Sequence, residues 1–216
     1  MGIKERKERE RKRRKDQILT AAIELIEEQG FEKTTMDEIA DRAELSKGTL
    51  YLYFNDKATL HQAIKKRGLN HIHENFLQII RQDLPGSELV TQMVLVFLKT
   101  ITHNATFTKA MFIYEHLNEQ EIEPQSVAEK CKNIQGDILM LLVHAIQIGI
   151  QDGSIKTSVS PKVLALNISF QMKGMLQSKL AGSHAYVEKV LEENKLTMSE
   201  LMELFLQTQF NYSATS

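Results

Sequence analysis

The chain has 216 residues, 42% hydrophobic and 25% charged, with ten glycines, three prolines, one cysteine and a net charge of −1. This balance excludes a disordered chain, and a lone Cys131 excludes an internal disulfide framework and suits a reducing interior. The near-zero charge hides an asymmetry, +3 through Arg67 and −4 beyond it, so a basic front is the part expected to meet a polyanion.

Residues 1–15, "MGIKERKERERKRRK", form a basic arm without the apolar core of a secretory signal. Two readings stay open for it: contact with a nucleic-acid backbone, or a solvated helical extension supported by Glu5/Arg9, Glu8/Lys12 and Glu10/Arg14 at i,i+4 spacing. Ile18, Ala22, Leu25 and Ile26 then fall at helical spacing, and Gly30 ends that first helix. Thr35 followed by Glu38 is a capping box, opening a second helix with Met36, Ile39, Ala40 and Ala43 on its apolar face. Ser46 caps a third, Lys47 to Phe54, and Asn55 or Asp56 caps a fourth that starts at Lys57 and runs toward Ile80.

Past the break "DLPGSE", Ser87 is the expected cap for a run carrying Val90, Val94, Phe97, Leu98 and Ile101. Further breaks at "THNAT", "NEQEIEP", "QDGSIKTSVSP" and "AGSHAY" bring the total to about nine helices, the last over residues 199–212. The most apolar segment, "ILMLLVHAIQIGI", reads as too short for a membrane span and carries His144 and Gln147. A soluble cytoplasmic protein without membrane contact is therefore expected.

The stretch "SKGTLYLYFNDK" carries the chemistry. Two short helices joined at a sharp turn and buttressed by the first form a helix-turn-helix. At 100° per residue Leu50 and Phe54 face inward, while Gly48, Thr49, Leu52 and Tyr53 face broadly outward. A glycine there costs about 1 kcal/mol against alanine, which makes sense if backbone must approach DNA closely. Thr49 can meet a base edge, the Tyr51 and Tyr53 hydroxyls can meet phosphates, and Lys47 and Lys57 add charge. Tyr51 or Tyr53 packing on the fourth helix, and Leu52 as an ordinary surface leucine, are the competing readings.

"TTMDEIADRAELSKGTLYLYFNDKATLHQAI" resembles the DNA-binding region of TetR-family transcriptional regulators, and the likeness extends from about Asp16 to Arg67. The resemblance implies an N-terminal three-helix DNA-binding domain, residues 16–60, followed by a larger helical ligand-binding and dimerisation domain, residues 61–216. It implies that Thr35 and Lys57 hold phosphates, that Lys47, Gly48, Thr49, Tyr51 and Tyr53 line the major groove, and that Ser46, the cap of that helix, belongs to the same DNA-binding set. It also implies a homodimer released from a palindromic operator by a small apolar or amphipathic effector, a repressor being the family's usual sense. The competing class is a DNA-bound scaffold whose rear half holds a protein partner.

In the last helix Leu201, Leu204, Phe205, Thr208 and Tyr212 form one stripe and Met202, Leu206 and Phe210 another. After Pro161, Leu164, Ile168 and Met175 fall on one side and Leu166 and Phe170 on another. Each segment therefore needs two partners, and Leu164, Ile168, Met175 and the Leu201 stripe are assigned to the dimer contact. Candidate pocket residues are Met93, Phe97, Phe107, Met111, Phe112, Tyr114, His116, Ile138, Leu141, His144, Met172 and Met175, an adaptable apolar set that any core also contains. His71 and His73 diverge on a helix, and no catalytic constellation, metal set or cofactor motif is expected.

Overall fold

The computed structural model of the protein describes residues 2–103, 106–108, 110, 125–180 and 184–211. Most of those residues are helical, with no strand among them. In chain order the helices are α1 (Ile3–Gln29), α2 (Met36–Arg42), α3 (Lys47–Tyr51), α4 (Lys57–Ile79), α5 (Gly86–His103), α6 (Gln125–Gln151), α7 (Pro161–Leu180), α8 (His184–Glu193) and α9 (Met198–Phe210), and residues 106–108 are helical too.

The chain divides into two compact units, Met1–Arg67 with Ala105–Lys130, and Gly68–Asn104 with Cys131–Ser216. The division falls within α4, past residue 60, because the first turns of α4 supply Leu60 and Ile64 to the first unit's core. Around these sit Ile18, Ala22, Leu25 and Ile26 of α1, Ile39 and Ala40 of α2, Leu50 of α3, and Phe54. Leu50 and Phe54 are each worth about 1.5–3 kcal/mol of burial, and they fix the rotation of α3, which is otherwise too short to hold its own shape.

The arm does not end as a separate segment: α1 begins at Ile3 and runs unbroken through it. The Gly2 N–H donates to Glu5 Oε2 at 3.0 Å, and Glu10 pairs with Arg13 at 2.8 Å and with Arg14 at 3.3 Å. The α2–α3 turn is a Schellman motif, with Leu45 N–H donating to the Ala40 carbonyl at 2.9 Å and Glu44 N–H to that of Asp41 at 3.0 Å. Glu44 takes the left-handed conformation such a turn requires, at φ 54°. A non-glycine residue there is strained by roughly 1–2 kcal/mol.

In the second unit α5 packs against α7 and α9, and α7 against α8. Ser87 does not cap α5. The helix starts at Gly86, two residues before the start such a cap implies, and the turn after α6 satisfies its first N–H groups: Gly86 donates to Asp152 Oδ2 at 2.8 Å and Ser87 to Ser154 Oγ at 3.0 Å. Hydrogen bonds from the Ser154 side chain first, then from the Gly86 and Ser154 N–H groups, hold the Asp152 carboxyl below the usual carboxylate range. The approach of α5 to α6 is close enough that a Cβ on Gly86 would fall on the Gly149 backbone and 2.6 Å from the Ala145 carbonyl oxygen.

The expectation that the apolar segment around Leu142 is too short for a membrane span is corrected by the length of α6. Its stretch Glu129–Gln151 is long and apolar enough, by length and composition, to cross a membrane. Leu142, Val143, Ala145 and Ile146 are nevertheless buried within the protein while Asp137, His144 and Gln147 are exposed, the pattern of an amphipathic core helix.

Candidate nucleic-acid interface

The edge of α3 that faces away from Leu50 and Phe54 is open. Ser46, Lys47 and Gly48 are exposed, Thr49 is half-buried, and Leu52 is 79% exposed. Ser46 caps α3 as expected: its Oγ accepts from the Thr49 N–H at 3.2 Å and shares a second hydrogen bond with the Thr49 hydroxyl at 2.8 Å. The helix is shorter than the span to Phe54, however, because the Tyr53 N–H turns to the Leu50 carbonyl at 2.9 Å and closes the last turn tightly.

Gly48 is the telling residue. A Cβ built on it would have no heavy atom within 4 Å, and its backbone is helical without a positive φ. Among the described residues, neither packing nor backbone conformation calls for glycine here.

Of the two tyrosines, only Tyr53 departs from the face that spacing gives it. Tyr51 is 46% exposed, whereas Tyr53, expected outward, is half-buried against the first unit's core because the tight turn after Leu52 rotates it inward. Lys57 is half-buried, its Nζ donating to the Glu32 carbonyl at 3.1 Å and lying 4.3 Å from the Phe31 ring centroid. Two of its three N–H donors stay available for an anion.

Two acids occupy this surface: Asp37, which sequence reasoning passed over, and Glu38, the expected partner of Thr35 in the capping box. Asp37 accepts from Lys47 Nζ at 2.6 Å, and this bond holds the ammonium above its ordinary pKa. Glu38 closes the capping box on Thr35, accepting from its N–H and its hydroxyl at 2.8 Å each, while Thr35 Oγ1 accepts from the Glu38 N–H at 3.3 Å. Those two Thr35 donors, the backbone N–H first, hold the Glu38 carboxyl below the usual range. A phosphate at Thr35 therefore competes with Glu38, and one at Lys47 with Asp37. The Thr35/Glu38 spacing carried the first signal; the second needs the fold.

Under Phe31, His61 is 2% exposed, its ring edge-on at 4.8 Å, and burial together with the Lys65 and Lys57 charges pushes its pKa down to about 4. This neutral histidine belongs to the floor beneath Lys57.

Residues 18–64 match the model of bacterial regulatory proteins of the tetR family. The chain is 30% identical over 144 residues to the HTH-type transcriptional regulator YhgD of Bacillus subtilis, covering 66% of this chain and 72% of that one. The protein belongs to the TetR family. It is thus a DNA-binding transcriptional regulator and not an enzyme. The transcriptional repressor BepR of Brucella suis is 25% identical over 178 residues, 80% of this chain and 83% of BepR. The transcriptional activator FasR of Mycolicibacterium smegmatis is 28% identical over 131 residues, and the match spans only 60% of its length. The fold is that of FadR from Bacillus subtilis, solved in complex with stearoyl-CoA: TM-score 0.63 at 20% identity, covering 91% of this chain and 98% of FadR.

In the rear unit, two of the α7 residues expected at a dimer contact are not exposed. Leu164 and Ile168 are closed inside the subunit at 2% and 0% exposure, while Phe170 is 65% exposed, with Val163 and Leu166 also exposed. On α9, Leu201, Leu204 and Thr208 are exposed and Phe205 is half-buried, opposite the buried Met202, Leu206 and Phe210. Tyr212 lies outside the described residues.

Of the expected pocket residues, Met93 and Met172 are buried and Phe97, Ile138, Leu141 and Met175 half-buried. Phe107 is buried too, but it groups with the first unit. His144, expected to line a pocket, is exposed, because α6 turns Val143 and Ile146 inward instead. Met111, Phe112, Tyr114 and His116 lie outside the described residues.

Proposed function

We propose that this regulator is a homodimeric, effector-responsive repressor. Its first unit reads a palindromic operator with the α3 edge, and its second unit binds an apolar or amphipathic small molecule and holds the mate chain. Gly48 and Thr49 meet the major groove, with Leu52 against a thymine methyl; Ser46 holds the reading helix at its N-terminus. Tyr51, Lys47 and Lys57 take phosphates, as do Thr35 and the Tyr53 hydroxyl. The observation that carries the reading is the open space around Gly48, which leaves the glycine without a purpose inside the subunit.

The apolar residues left exposed on α7 and α9, Val163, Leu166, Phe170, Leu201 and Leu204, supply the four-helix contact with the second copy, together with Phe205 and Thr208. That contact sets the two reading helices one DNA turn, about 34 Å, apart. The effector acts by binding more tightly to the conformation in which that spacing is wrong. Met93 of α5 and Met172 of α7, on helices that touch, head the adaptable side chains that line its site, with Phe97, Ile138, Leu141 and Met175. The bound stearoyl-CoA of FadR and the repressor sense of BepR support this reading; FasR is the activator counterpart. A DNA-binding regulator of this kind works in the cytoplasm.

The test is selection of duplexes from a random library by the full chain, followed by titration of the selected operator. Thr49→Ala should weaken operator binding about tenfold or more, a loss of at least ~1–3 kcal/mol, without altering sedimentation as a dimer. Saturated long-chain acyl-CoA should release the operator from the wild-type chain. An operator bound equally well by wild type and Thr49→Ala would count against the reading face, and undiminished binding at saturating acyl-CoA against that effector class.

A further inference from the structure

One face of α1 changes character along its length. Lys4, Lys7, Arg11, Lys15, Ile18, Ala22 and Leu25 follow one another at steps of three and four, a single line along the helix. Its second half is apolar and buried against the first unit's core. Its first half is basic and exposed. The four cations fall within an arc of about 80° that contains no acid, with Glu8 at its edge; Glu5 and Asp16 stand further round. Glu10, past the opposite edge, is already taken by Arg13 and Arg14.

The stripe leaves the core beside the helix-turn-helix. Gln17 Nε2 donates to the Ala43 carbonyl at 2.7 Å, in the turn that leads into α3, and Lys15 Nζ lies 5.9 Å from the ring centroid of Phe54, just beyond the end of α3. Burial, then the charges of Arg11, Lys66 and Lys130, push the Lys15 ammonium below its ordinary pKa, so the root of the stripe is a gathering of like charges. Residues 3–14 carry it on for about 18 Å at 1.5 Å per residue, half a turn of duplex.

We propose that the stripe Lys4–Lys7–Arg11–Lys15 is a rigid second DNA contact, a helical strut that lies along the phosphate backbone flanking the sequence read by α3. The inference rests on the operator-binding reading for its placement. It needs no base recognition, so its contribution is independent of sequence and sensitive to salt. A surface of four cations in line, one helical turn apart, matches the regular phosphates of a duplex, whereas an apolar partner would find no seat on it. Lys66 joins the same field from α4.

The experiment compares the full chain with Lys4→Gln/Lys7→Gln/Arg11→Gln and with Arg6→Gln/Arg9→Gln/Lys12→Gln, which removes the same charge from other faces of the exposed arm. The probes are a 40-base-pair duplex of random sequence, the selected operator, and vesicles of phosphatidylglycerol. Removing one cation from a phosphate should lower the slope of log K against log salt by about 0.9. With three cations neutralised in each subunit of a dimer, the stripe variant should therefore lower the slope by about 5 on both duplexes, and the control variant by about 1 or less. Trimming the operator's flanks should erase the difference between wild type and stripe variant. An unchanged slope in the stripe variant, equal reductions in both variants, or a reduction confined to the vesicles overturns the proposal. If the selected duplex is bound no better than random DNA but the stripe variant still has the shallower slope, the strut stands and the operator reading falls.

Discussion

Replacing Gly48 by alanine separates what the fold needs from what DNA needs. The added Cβ meets nothing within 4 Å, the backbone is already helical, and the position lies in the first turn of α3. Alanine in a helix is favoured over glycine by about 0.8–1.0 kcal/mol, somewhat less in a first turn, so Gly48→Ala should stabilise the free protein by about 0.5–1 kcal/mol. For a chain of this size that is a rise in Tm of about 1–4 °C. If that edge meets the groove as proposed, the same methyl group should weaken operator binding by about 1–3 kcal/mol through loss of close backbone approach, about fivefold to more than a hundredfold. Differential scanning calorimetry and fluorescence anisotropy on one preparation read both quantities. A variant that is less stable than wild type would show that packing requires the glycine. One that is more stable and binds DNA equally well would show that the groove does not.

Three other outcomes are expected. His61 titrates near pH 4 in the folded chain against 6.5 in the unfolded one, so its neutral form stabilises the fold fully above pH 6.5, and up to about 3 kcal/mol is lost as pH falls toward 4; in urea unfolding, His61→Gln should show a correspondingly smaller loss over that window, and an identical pH profile would refute the assignment. Gly86→Ala forces a Cβ onto the Gly149 backbone and should destabilise by about 1–3 kcal/mol, with α5 shifting off Asp152; an unchanged denaturation midpoint would rule out the close helix crossing. Phe170→Glu should convert the dimer to monomer in sedimentation without loss of helicity, whereas a dimer that survives it would move the contact away from α7.

How much of this could be read beforehand depends on how local the determining interaction is. The Thr35/Glu38 capping box, the Ser46 cap, Asp56 as the cap of α4 through the Thr59 N–H at 2.6 Å, and the inward pair Leu50 and Phe54 all involve residues within four positions of each other. Spacing alone finds such pairs. The start of α5 differs by two residues from the expected one because its N–H groups are satisfied by Asp152 and Ser154, more than sixty positions away. On α7 the sequence offers two apolar stripes, Leu164 with Ile168 and Leu166 with Phe170, and nothing in their periodicity says which meets the subunit's own α5. The turn of Tyr53 onto the core follows from the contraction of one turn at the end of α3, a change no propensity signals. Glu44 in the left-handed region is likewise invisible in a sequence, where glycine marks such turns.

Whether the Gly48 edge of α3 lies in the major groove of DNA can be read from where a reagent tethered there cuts. A Gly48→Cys, Cys131→Ser chain carrying a phenanthroline–copper cleaving group at residue 48 is bound to the selected operator for this purpose. Two centres of strand scission are expected, one per half-site and about one helical turn apart. Scission spread evenly along the duplex, or none above that of the same group placed at Leu204, would mean that the edge is not in the groove.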